Sequence, residues 1–417
     1  NAYQQMGCVI FQVADTTPLG AQPIMLTTAG GVSPALSFTV TATGAIKYAA
    51  VGGGGAGTYA SPYNSIQAGI DALERGDVLY VRDGLNIGVA MLGVNSHWGH
   101  GDISIPITVT TYPGATSQVG TPTQTGFQIL RSGTGYGMTY AKFKVYGDHL
   151  AGGNGGQAIT LADYGRAIGN WISAPGANAA SGGLGAFGSN LFILGNEMTQ
   201  VGAAGGGGLY HVMYIYGRRH SGTAYVESGR EIAWNYLHDN YANRGINIWN
   251  DQGPAVNNAI ANHNVHDNVI VNQDGDAIYF GQGVVGANFA TNNTLINVGT
   301  KVALKDFASF TAFDIRATYP SVPAWTGPKS PIYVTITGNV LKNAGTVLSP
   351  SASGVFWFSQ TPDVVIVIKG NRFEQTNGFP AVVTDTVGSG GQPSAPDPTR
   401  YSGNTWIGVT APLWDTP

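Results

Sequence analysis

The chain has 417 residues, of which 62 are glycine, about twice the usual share of ~7%. Charged residues make up only 10% and the net charge is −4, which argues against the broad basic face of a nucleic-acid-binding protein. A hydrophobic content of 43% argues against a disordered chain, no apolar run reaches the ~18–20 residues of a membrane helix, and the single Cys8 excludes a disulfide scaffold.

The first 57 residues differ in pattern from the rest. Segments 37–43 and 47–51 are strand-like and end in a glycine run at 52–55. We predict a short N-terminal β extension over 1–57 and a second domain over 58–417. Since the chain begins at Asn1 rather than Met, we expect a processed protein that is secreted or extracellular, the periplasm included.

One short helix is expected near residues 65–73. Ile66, Ile70 and Leu73 fall on one face of it, and Ser65 is a suitable N-cap. Such a helix can cover the open strand edges at the start of a solenoid. The proline-rich segment 379–399 and a strand near Trp406 are candidates for the other end.

An asparagine phrase recurs from about residue 167 to the end of the chain. It reads apolar-x-Gly/Asn-Asn-x-apolar, with steps that average roughly 30 residues, in the range of solenoid repeats. Asparagine tolerates a left-handed bend, and its amide can bond to the asparagine of the next coil. We therefore predict stacked β coils with an asparagine ladder. The repeated residues are Asn170, Asn196, Asn235, Asn293, Asn339, Asn371 and Asn404.

Two stretches carry a family resemblance. Residues 65–84, SIQAGIDALERGDVLYVRDG, and residues 105–115, IPITVTTYPGA, resemble the first coils of right-handed parallel β-helix proteins of the pectate-lyase-like superfamily. There a capping helix precedes a strand of the same pattern. The resemblance covers roughly residues 58–410, by the span of the motifs. It implies an all-β right-handed parallel β-helix with a capping helix, and a carbohydrate-active protein.

Stacking the coils brings three strands side by side: residues 211–217, 244–250 and 276–282. Their inward pairs are Met213/Ile215, Ile246/Ile248 and Ile278/Phe280. We expect Val302 and Leu304 to be the inward pair of the next coil, with Lys301 and Lys305 pointing outward.

The same register predicts three outer columns. A column at the strand entrance contains His211, Arg244 and Asp276, and its alternative interpretation is a set of turn residues. Tyr214, Asn247 and Tyr279 form the next column, followed by Tyr216, Trp249 and Gly281. A one-residue slip would instead place the aromatic residues inside as core.

Arginine and histidine concentrate around these columns. Four of the 11 arginines lie within residues 218–244, and all eight histidines lie between His97 and His266. In a chain with so few charges, this indicates an anionic ligand, and insertions at 218–229 and 307–331 could wall a groove. Aromatic faces and arginines suit a polysaccharide. The expected substrate-binding residues are Tyr216, Asn247, Trp249, Tyr279, Arg218 and Arg219.

These residues favour a polysaccharide lyase that cleaves a uronic-acid glycan by β-elimination. Such a reaction needs a group that neutralises the uronate carboxylate and a base that removes the C5 proton. We assign neutralisation to Arg244, the base to His211 and the leaving-group acid to Tyr214, with Asp276 beside them. Lys305 is a reserve base, because lysine and arginine serve this role in the families that the chain resembles.

Two other functions stay open. A glycoside hydrolase could use an aspartate pair drawn from Asp239, Asp251, Asp267 and Asp276. The triplets 238–240 and 266–268, both His-Asp-Asn, would then place Asp239 and Asp267 one rung apart, although a turn with stacked asparagines is the favoured interpretation. A non-catalytic glycan-binding or adhesive β-helix is the other alternative.

Metal binding is undecided by the sequence. His97 and His100 have a weak metal-like spacing in a glycine-rich loop with no third ligand, and a surface loop is the favoured interpretation. Calcium remains an option through the family resemblance, because enzymes of this fold that act on acidic glycans often use it.

Overall fold

The computed structural model describes residues 17–42, 44–86, 91–92, 105–122, 128–129, 137–147, 157–175, 182–202, 211–217, 224–250, 258–300, 310–319, 325, 327, 329–344, 353–358, 364–375, 382–384, 397–409, 411 and 415. Within these residues the chain is nearly all β-strand, with one helix. That helix is too short to cross a bilayer, and the described part of the chain contains no other.

Three long parallel sheets build the molecule. Over the described residues they contain twelve, eleven and eight strands, and from Gln157 onward successive coils add strands to all three sheets in turn. Strands that are neighbours in a sheet are about one coil apart in sequence, which is the pattern of a solenoid. This arrangement confirms the right-handed parallel β-helix expected from the sequence.

The strands of the twelve-stranded sheet are Ile46–Ala49, Val78–Val81, Ile107–Thr111, Met138–Ala141, Arg166–Ile168, Leu191–Leu194, Arg230–Ala233, His263–His266, Ala287–Thr291, Ile332–Thr337, Val364–Lys369 and Tyr401–Ser402. Those of the eleven-stranded sheet are Gly84–Asn86, Ser117–Val119, Lys144–Tyr146, Trp171–Pro175, Glu197–Gly202, Tyr236–Asn240, Val269–Gln273, Thr294–Val298, Val340–Ala344, Arg372–Glu374 and Thr405–Ile407. Those of the eight-stranded sheet are Gln157–Leu161, Gly182–Phe187, His211–Tyr216, Arg244–Ile248, Asp276–Gln282, Phe310–Thr318, Ser353–Phe358 and Val382–Thr384.

Smaller sheets complete the described part of the chain. Their strands are Gly20–Ile24 with Leu36–Val40, Thr27–Thr28 with Gly31–Val32, Met91–Leu92 with Gln128–Ile129, and Tyr225–Glu227 with Asn258–Ala261 and Val284–Val285.

The predicted N-terminal extension contains an antiparallel hairpin. Its strands Gly20–Ile24 and Leu36–Val40 pair with each other, and most of their side chains are exposed or half-buried. Ile46–Ala49, although also within the first 57 residues, pairs in parallel with Val78–Val81 of the twelve-stranded sheet. The boundary at residue 57 stays a prediction.

A single helix, Ile66–Asp71, lies where the sequence predicts a cap. The Ser65 hydroxyl accepts a hydrogen bond from the backbone N–H of Ala68, as an N-cap does. Ile70 and Leu73 are fully buried in the main core, and Ile66 is nearly so. The helix therefore covers the start of the coil stack.

The asparagine ladder runs through the turn between the twelve- and eleven-stranded sheets. In each step the Nδ2 of one asparagine donates to the Oδ1 of the next, at 2.9–3.0 Å. The residue before each rung has positive φ, for example Trp234 at 57° and Gly338 at 67°. The ladder joins Asn170, Asn196, Asn235, Asn268, Asn293, Asn339, Asn371 and Asn404. It confirms the prediction and adds Asn268 to it.

The last strand of the eleven-stranded sheet, Thr405–Ile407, lies at the C-terminal end of the stack, as expected. Trp406 stacks on Phe373 of the preceding coil with ring centroids 4.1 Å apart. Its indole N–H donates to Asp415 at 2.6 Å. Most of segment 379–399 lies outside the described residues.

Candidate active site

Three strands of the eight-stranded sheet have the register expected from the sequence. His211 pairs with Arg244, and Arg244 pairs with Asp276. The inward residues of these strands have no exposed surface, which confirms their predicted parity. They are Met213, Ile215, Ile246, Ile248, Ile278 and Phe280.

The next rung differs from the prediction. The strand Phe310–Thr318 pairs with Asp276–Gln282, and its buried residues Phe313 and Ile315 occupy the positions expected for Val302 and Leu304. The prediction was wrong because two apolar pairs follow Asp276–Gln282 in the sequence, and the more distant pair supplies the strand. Part of the expected wall at 307–331 is thus a strand of the sheet.

A bend at the strand entrance places His211 on the outer surface. Strict alternation would give His211 the inward direction of Met213. Instead the row between the entrance residues and the row of Met213 also packs into the core. Its residues Val212, Ala277 and Ala312 are fully buried. The His211 ring therefore lies beside the Tyr214 ring, with centroids 5.1 Å apart.

Two rows of side chains follow from this bend. We name as the entrance row His211, Arg244 and Asp276, with Thr311 bonded to its end. We name as the middle row Tyr214, Asn247, Tyr279 and Asp314.

The Arg244 side chain links the two rows and is largely buried, at 9% exposure. Its guanidinium carbon lies 3.7 Å from the ring centroid of Tyr279, in a cation–π contact. Nε lies 3.5 Å from Asp276 Oδ2, and Nη1 lies 3.5 Å from Asn247 Oδ1. These contacts fix the plane of the guanidinium group.

Two buried carboxylates support the rows. Asp276 Oδ1 accepts hydrogen bonds from the backbone N–H and the hydroxyl of Thr311, at 3.0 and 3.1 Å. Asp314, also fully buried, lies 2.9 Å from Nε of Arg316. Asp314 and Arg316 were not expected at this site from the sequence. The match of 312–315, Ala-Phe-Asp-Ile, to 277–280, Ala-Ile-Tyr-Phe, was the available signal.

His211 is half-buried, and its Nδ1 is enclosed without a hydrogen-bond partner among the described residues. Burial lowers the pKa of His211 well below its ordinary value of 6.5, and the neighbouring Arg244 charge lowers it further. The imidazole is therefore neutral at pH 7, and the same burial disfavours its protonated form.

The aromatic residues form a partly exposed ribbon. Tyr214 stacks against Tyr216 with centroids 4.9 Å apart and against Trp249 at 6.3 Å. Tyr214 and Trp249 are half-buried, whereas Tyr216 and Tyr279 are buried at 6% and 5% exposure. Burial also raises the pKa of Tyr279 to about 12, despite the opposing effect of Arg244. The part that a ligand can reach is thus centred on Tyr214 and Trp249.

Several predicted residues lie outside the described part of the chain, so their roles stay predictions. They are Lys301, Lys305, Arg218, Arg219, Asp251, His97 and His100. Within the described residues, no three His, Cys, Asp or Glu side chains are grouped as a metal site would require.

The two His-Asp-Asn triplets do not place their aspartates one rung apart. Asn268 belongs to the ladder, but Asn240 lies at the far end of Tyr236–Asn240, where its Oδ1 accepts from the N–H of Val201. Asp239 stacks with Asn272 instead of with Asp267. The triplets are alike because both turns need left-handed backbone, with φ of 53° at each aspartate. The alternative pairing of Asp239 with Asp267 does not occur, and of the favoured turn-and-ladder interpretation the ladder applies to Asn268 alone.

Each triplet histidine joins two carboxylates. His238 lies 2.8 Å from Asp239 and 3.2 Å from Glu197. His266 has the same distances to Asp267 and Glu231. The hydrogen bond from His238 lowers the pKa of Asp239. These contacts explain the triplets as structural features of the coil corners.

Solved structures of related arrangement include two lyases and a glycoside hydrolase. The pectate lyase Pel9A is 12% identical over 85% of this chain and 82% of its own, with a TM-score of 0.46. A rhamnogalacturonan lyase is 13% identical over 88% of this chain and 87% of its own, with a TM-score of 0.40. The GH136 lacto-N-biosidase from Eubacterium ramulus is 12% identical over 82% of this chain and 67% of its own, with a TM-score of 0.38. A scan against protein-family models and a search of curated proteins gave no match.

The parallel sheets, the capping helix and the asparagine ladder all occur where the sequence predicted them. The chain is a right-handed parallel β-helix.

Proposed function

We propose that this chain is a polysaccharide lyase that cleaves a uronic-acid glycan by β-elimination on the outer face of the eight-stranded sheet. The observation that carries the proposal is the pairing of His211 and Arg244 on neighbouring strands of this sheet. A neutral imidazole, His211, lies next to a guanidinium, Arg244, whose plane is fixed by Tyr279 and Asp276. Base and carboxylate-binding group are the two parts that β-elimination requires.

The proposed step conserves atoms and charge. Arg244 donates N–H bonds to the uronate carboxylate and so makes the C5 proton more acidic. His211 takes that proton, and the C5–H electron pair becomes the C4–C5 double bond. The C4–O bond breaks, and the Tyr214 hydroxyl protonates the leaving oxygen. One chain end then carries an unsaturated uronate.

Asp276 acts through Arg244 in this proposal. Its charge offsets that of the guanidinium, so recognition relies on directed N–H donors more than on excess positive charge. A fixed donor needs no reorganisation during the reaction, which favours the transition state. Asp276 is therefore a positioning residue.

The substrate we propose is an anionic polysaccharide, with Tyr214 and Trp249 as stacking surfaces for sugar rings. Calcium remains an option for this chemistry. A polymer substrate does not enter cells intact, which supports our expectation of a secreted or extracellular enzyme.

Glycoside hydrolysis is the second candidate, since Asp276 and Asp314 lie on neighbouring strands of the site. Both are fully buried, and each is already bonded to a neighbour, Thr311 or Arg316. A general acid or nucleophile must reach the sugar, and this burial favours the lyase.

A polysaccharide panel tests the proposal. Charged and neutral polymers are digested with the wild-type chain, Arg244→Lys and His211→Asn, and products are followed by reducing ends and by ultraviolet absorbance of the unsaturated uronate. His238→Asn, on the eleven-stranded sheet, is the matched histidine control. We expect absorbance with uronic-acid polymers, retained in the control and lost in both site variants. Reducing ends without absorbance would contradict the lyase, and lost cleavage in Asp314→Asn would then favour the hydrolase.

A further inference from the structure

The outer rows of the eight-stranded sheet change character one strand before His211. On the strand Gly182–Phe187 the positions that continue the entrance and middle rows are both glycine. Leu184 pairs with Met213, so Gly182 lies beside His211 and Gly185 pairs with Tyr214. Neither row therefore has a side chain of its own on this strand.

The side chain of Gln157 occupies the middle-row position on this strand. Gln157 begins the strand before, paired with Gly182, and its carboxamide folds across Gly185. A Cβ at Gly185 would overlap the Gln157 carboxamide, with Oε1 as the nearest atom and Nε2 at 2.7 Å. Only glycine leaves room for the amide in this position.

A hydrogen bond sets the orientation of the amide. The Thr160 hydroxyl donates to Gln157 Oε1 at 3.1 Å. Because the amide oxygen is the acceptor of this bond, Nε2 is the donor that the amide can offer to a ligand. Gln157 as a residue is half-buried.

We infer that the Gln157 amide is a glycan-binding group, which extends the site one strand toward the N-terminal end of the coil stack. This rests on the proposed function for the nature of the ligand. With the amide above Gly185, the middle row has a polar group on every rung, spaced ~4.8 Å apart. In order these are Thr160, Gln157, Tyr214, Asn247, Tyr279 and Asp314.

The chemistry of the amide suits a sugar hydroxyl or a uronate oxygen. An N–H donor whose partner oxygen is already fixed loses little freedom on binding. The Tyr214 ring on the adjacent strand offers an apolar face to the same sugar. Gln157 would thus contact a residue of the glycan beyond the one held at His211 and Arg244, and matter only for longer ligands.

Two substitutions remove the amide in different ways. Gln157→Ala deletes it, and Gly185→Ala pushes it off its position with one methyl group. Binding of uronic-acid oligosaccharides of increasing length is measured by calorimetry in the His211→Asn background, where turnover is prevented. We expect both variants to weaken binding about fivefold to tenfold for long oligosaccharides, the effect of losing one or two hydrogen bonds. Binding of the shortest ligands should stay within about twofold.

Gln118→Ala is the matched control. Gln118 lies on the eleven-stranded sheet, where its Nε2 donates to the carbonyl of Gly120 at 3.0 Å. Its loss should leave binding at every length unchanged. Thermal unfolding of each variant checks the fold, and Gln157→Ala carries the test if Gly185→Ala does not fold.

The outcomes separate this inference from the proposed function. Equal affinity of wild type and Gln157→Ala at all lengths, or an equal loss at all lengths, would overturn the role of Gln157 even if elimination occurs. A length-dependent loss without unsaturated products would support Gln157 and contradict the lyase. Absence of binding to any oligosaccharide would contradict both.

Discussion

Two ladders cross the coils of this protein, and they differ in kind. At the turn between the twelve- and eleven-stranded sheets the same residue repeats, and each asparagine amide is bonded to the next. On the eight-stranded sheet the rows change at every strand, through imidazole, guanidinium and carboxylate. His211 Nδ1 has no hydrogen-bond partner there within the described residues.

The difference teaches how to separate structure from function in a solenoid. A ladder of identical, satisfied amides stabilises each coil against the next and has little left to offer a ligand. In a row of unlike charged groups no single contact repeats from coil to coil. Its buried ion pairs are weak evidence that the row stabilises the fold. The substitutions below test this contrast. Changes in the rows of the eight-stranded sheet should alter activity, and changes in the asparagine ladder should alter the free energy of unfolding.

The largest effect is expected at Arg244. Arg244→Ala removes the group that binds the uronate carboxylate and leaves Asp276 buried without its cation. We expect kcat/KM to fall about 10²–10³-fold, as for loss of an oxyanion-stabilising donor. Steady-state kinetics on the best uronic-acid polymer measure it. A fall below about tenfold, with a native unfolding curve, would exclude Arg244 from catalysis.

The asparagine ladder should respond in stability instead. Asn235→Ala removes the Oδ1 that accepts from Asn196 and the Nδ2 that donates to the Ile193 carbonyl. Leaving such buried groups unsatisfied costs ~1–3 kcal/mol of unfolding free energy. Denaturant unfolding measures the loss. Asn404→Ala, at the half-buried end of the ladder, should cost less, and activity per folded molecule should be unchanged in both.

Much of this contrast was readable from the sequence. Repetition made the ladder visible, and alternation gave the register of three site strands. Asp314 and Arg316 were missed because the chain between Asp276–Gln282 and Phe310–Thr318 contains a second apolar pair. Periodicity alone cannot choose between two such pairs.

The bend at the strand entrance was also beyond a period-two pattern. It depends on two successive rows that face the core, and the extra row contains Val212 beside the small residues Gly245, Ala277 and Ala312. An apolar or small residue at the second position of each strand is therefore the signal to look for in other coils. Gln157 could not be found this way, because its role depends on the space above Gly185, one coil later.

A smaller effect, dependent on pH, is expected behind the site. His263 is fully buried beside Arg230, and neither ring nitrogen has a hydrogen-bond partner among the described residues. Arg230 in turn pairs with buried Glu227 and donates to the carbonyl of Tyr216, at the end of a site strand. The other neighbour of His263, Asn288, is uncharged.

Burial lowers the pKa of His263 well below 6.5, and Arg230 adds to the effect. The unfolded chain then binds the extra proton first, so stability is complete above pH 6.5 and falls as the pH drops below it. One such group costs up to ~1.4 kcal/mol per pH unit. His263→Leu should flatten the dependence of unfolding on pH between about 4.5 and 6.5. Asn264→Ala, on the same strand, removes no titratable group and should not flatten it. A wild-type slope in His263→Leu would refute this account.

The smallest effect is expected at the aromatic ribbon. Trp249→Ala removes a stacking surface worth ~0.5–1.5 kcal/mol, so KM should rise about threefold to tenfold while kcat changes less. Trp171→Ala is the control, because Trp171 pairs with Tyr146 on the eleven-stranded sheet at 5.5 Å. Equal KM changes in the two variants would show that the ribbon has no special part in binding.

The central claim is that the rows of the eight-stranded sheet cleave a uronic-acid glycan by elimination. Mass spectrometry of the released oligosaccharides tests this most directly, because elimination adds no water whereas hydrolysis adds one molecule at each cut. We expect products with an unsaturated end from the wild-type chain and from Asn235→Ala, and a rate of their release from Arg244→Ala that is at least about a hundredfold lower. Products that carry an added water, or unsaturated products still released at the wild-type rate by Arg244→Ala, would contradict the central claim.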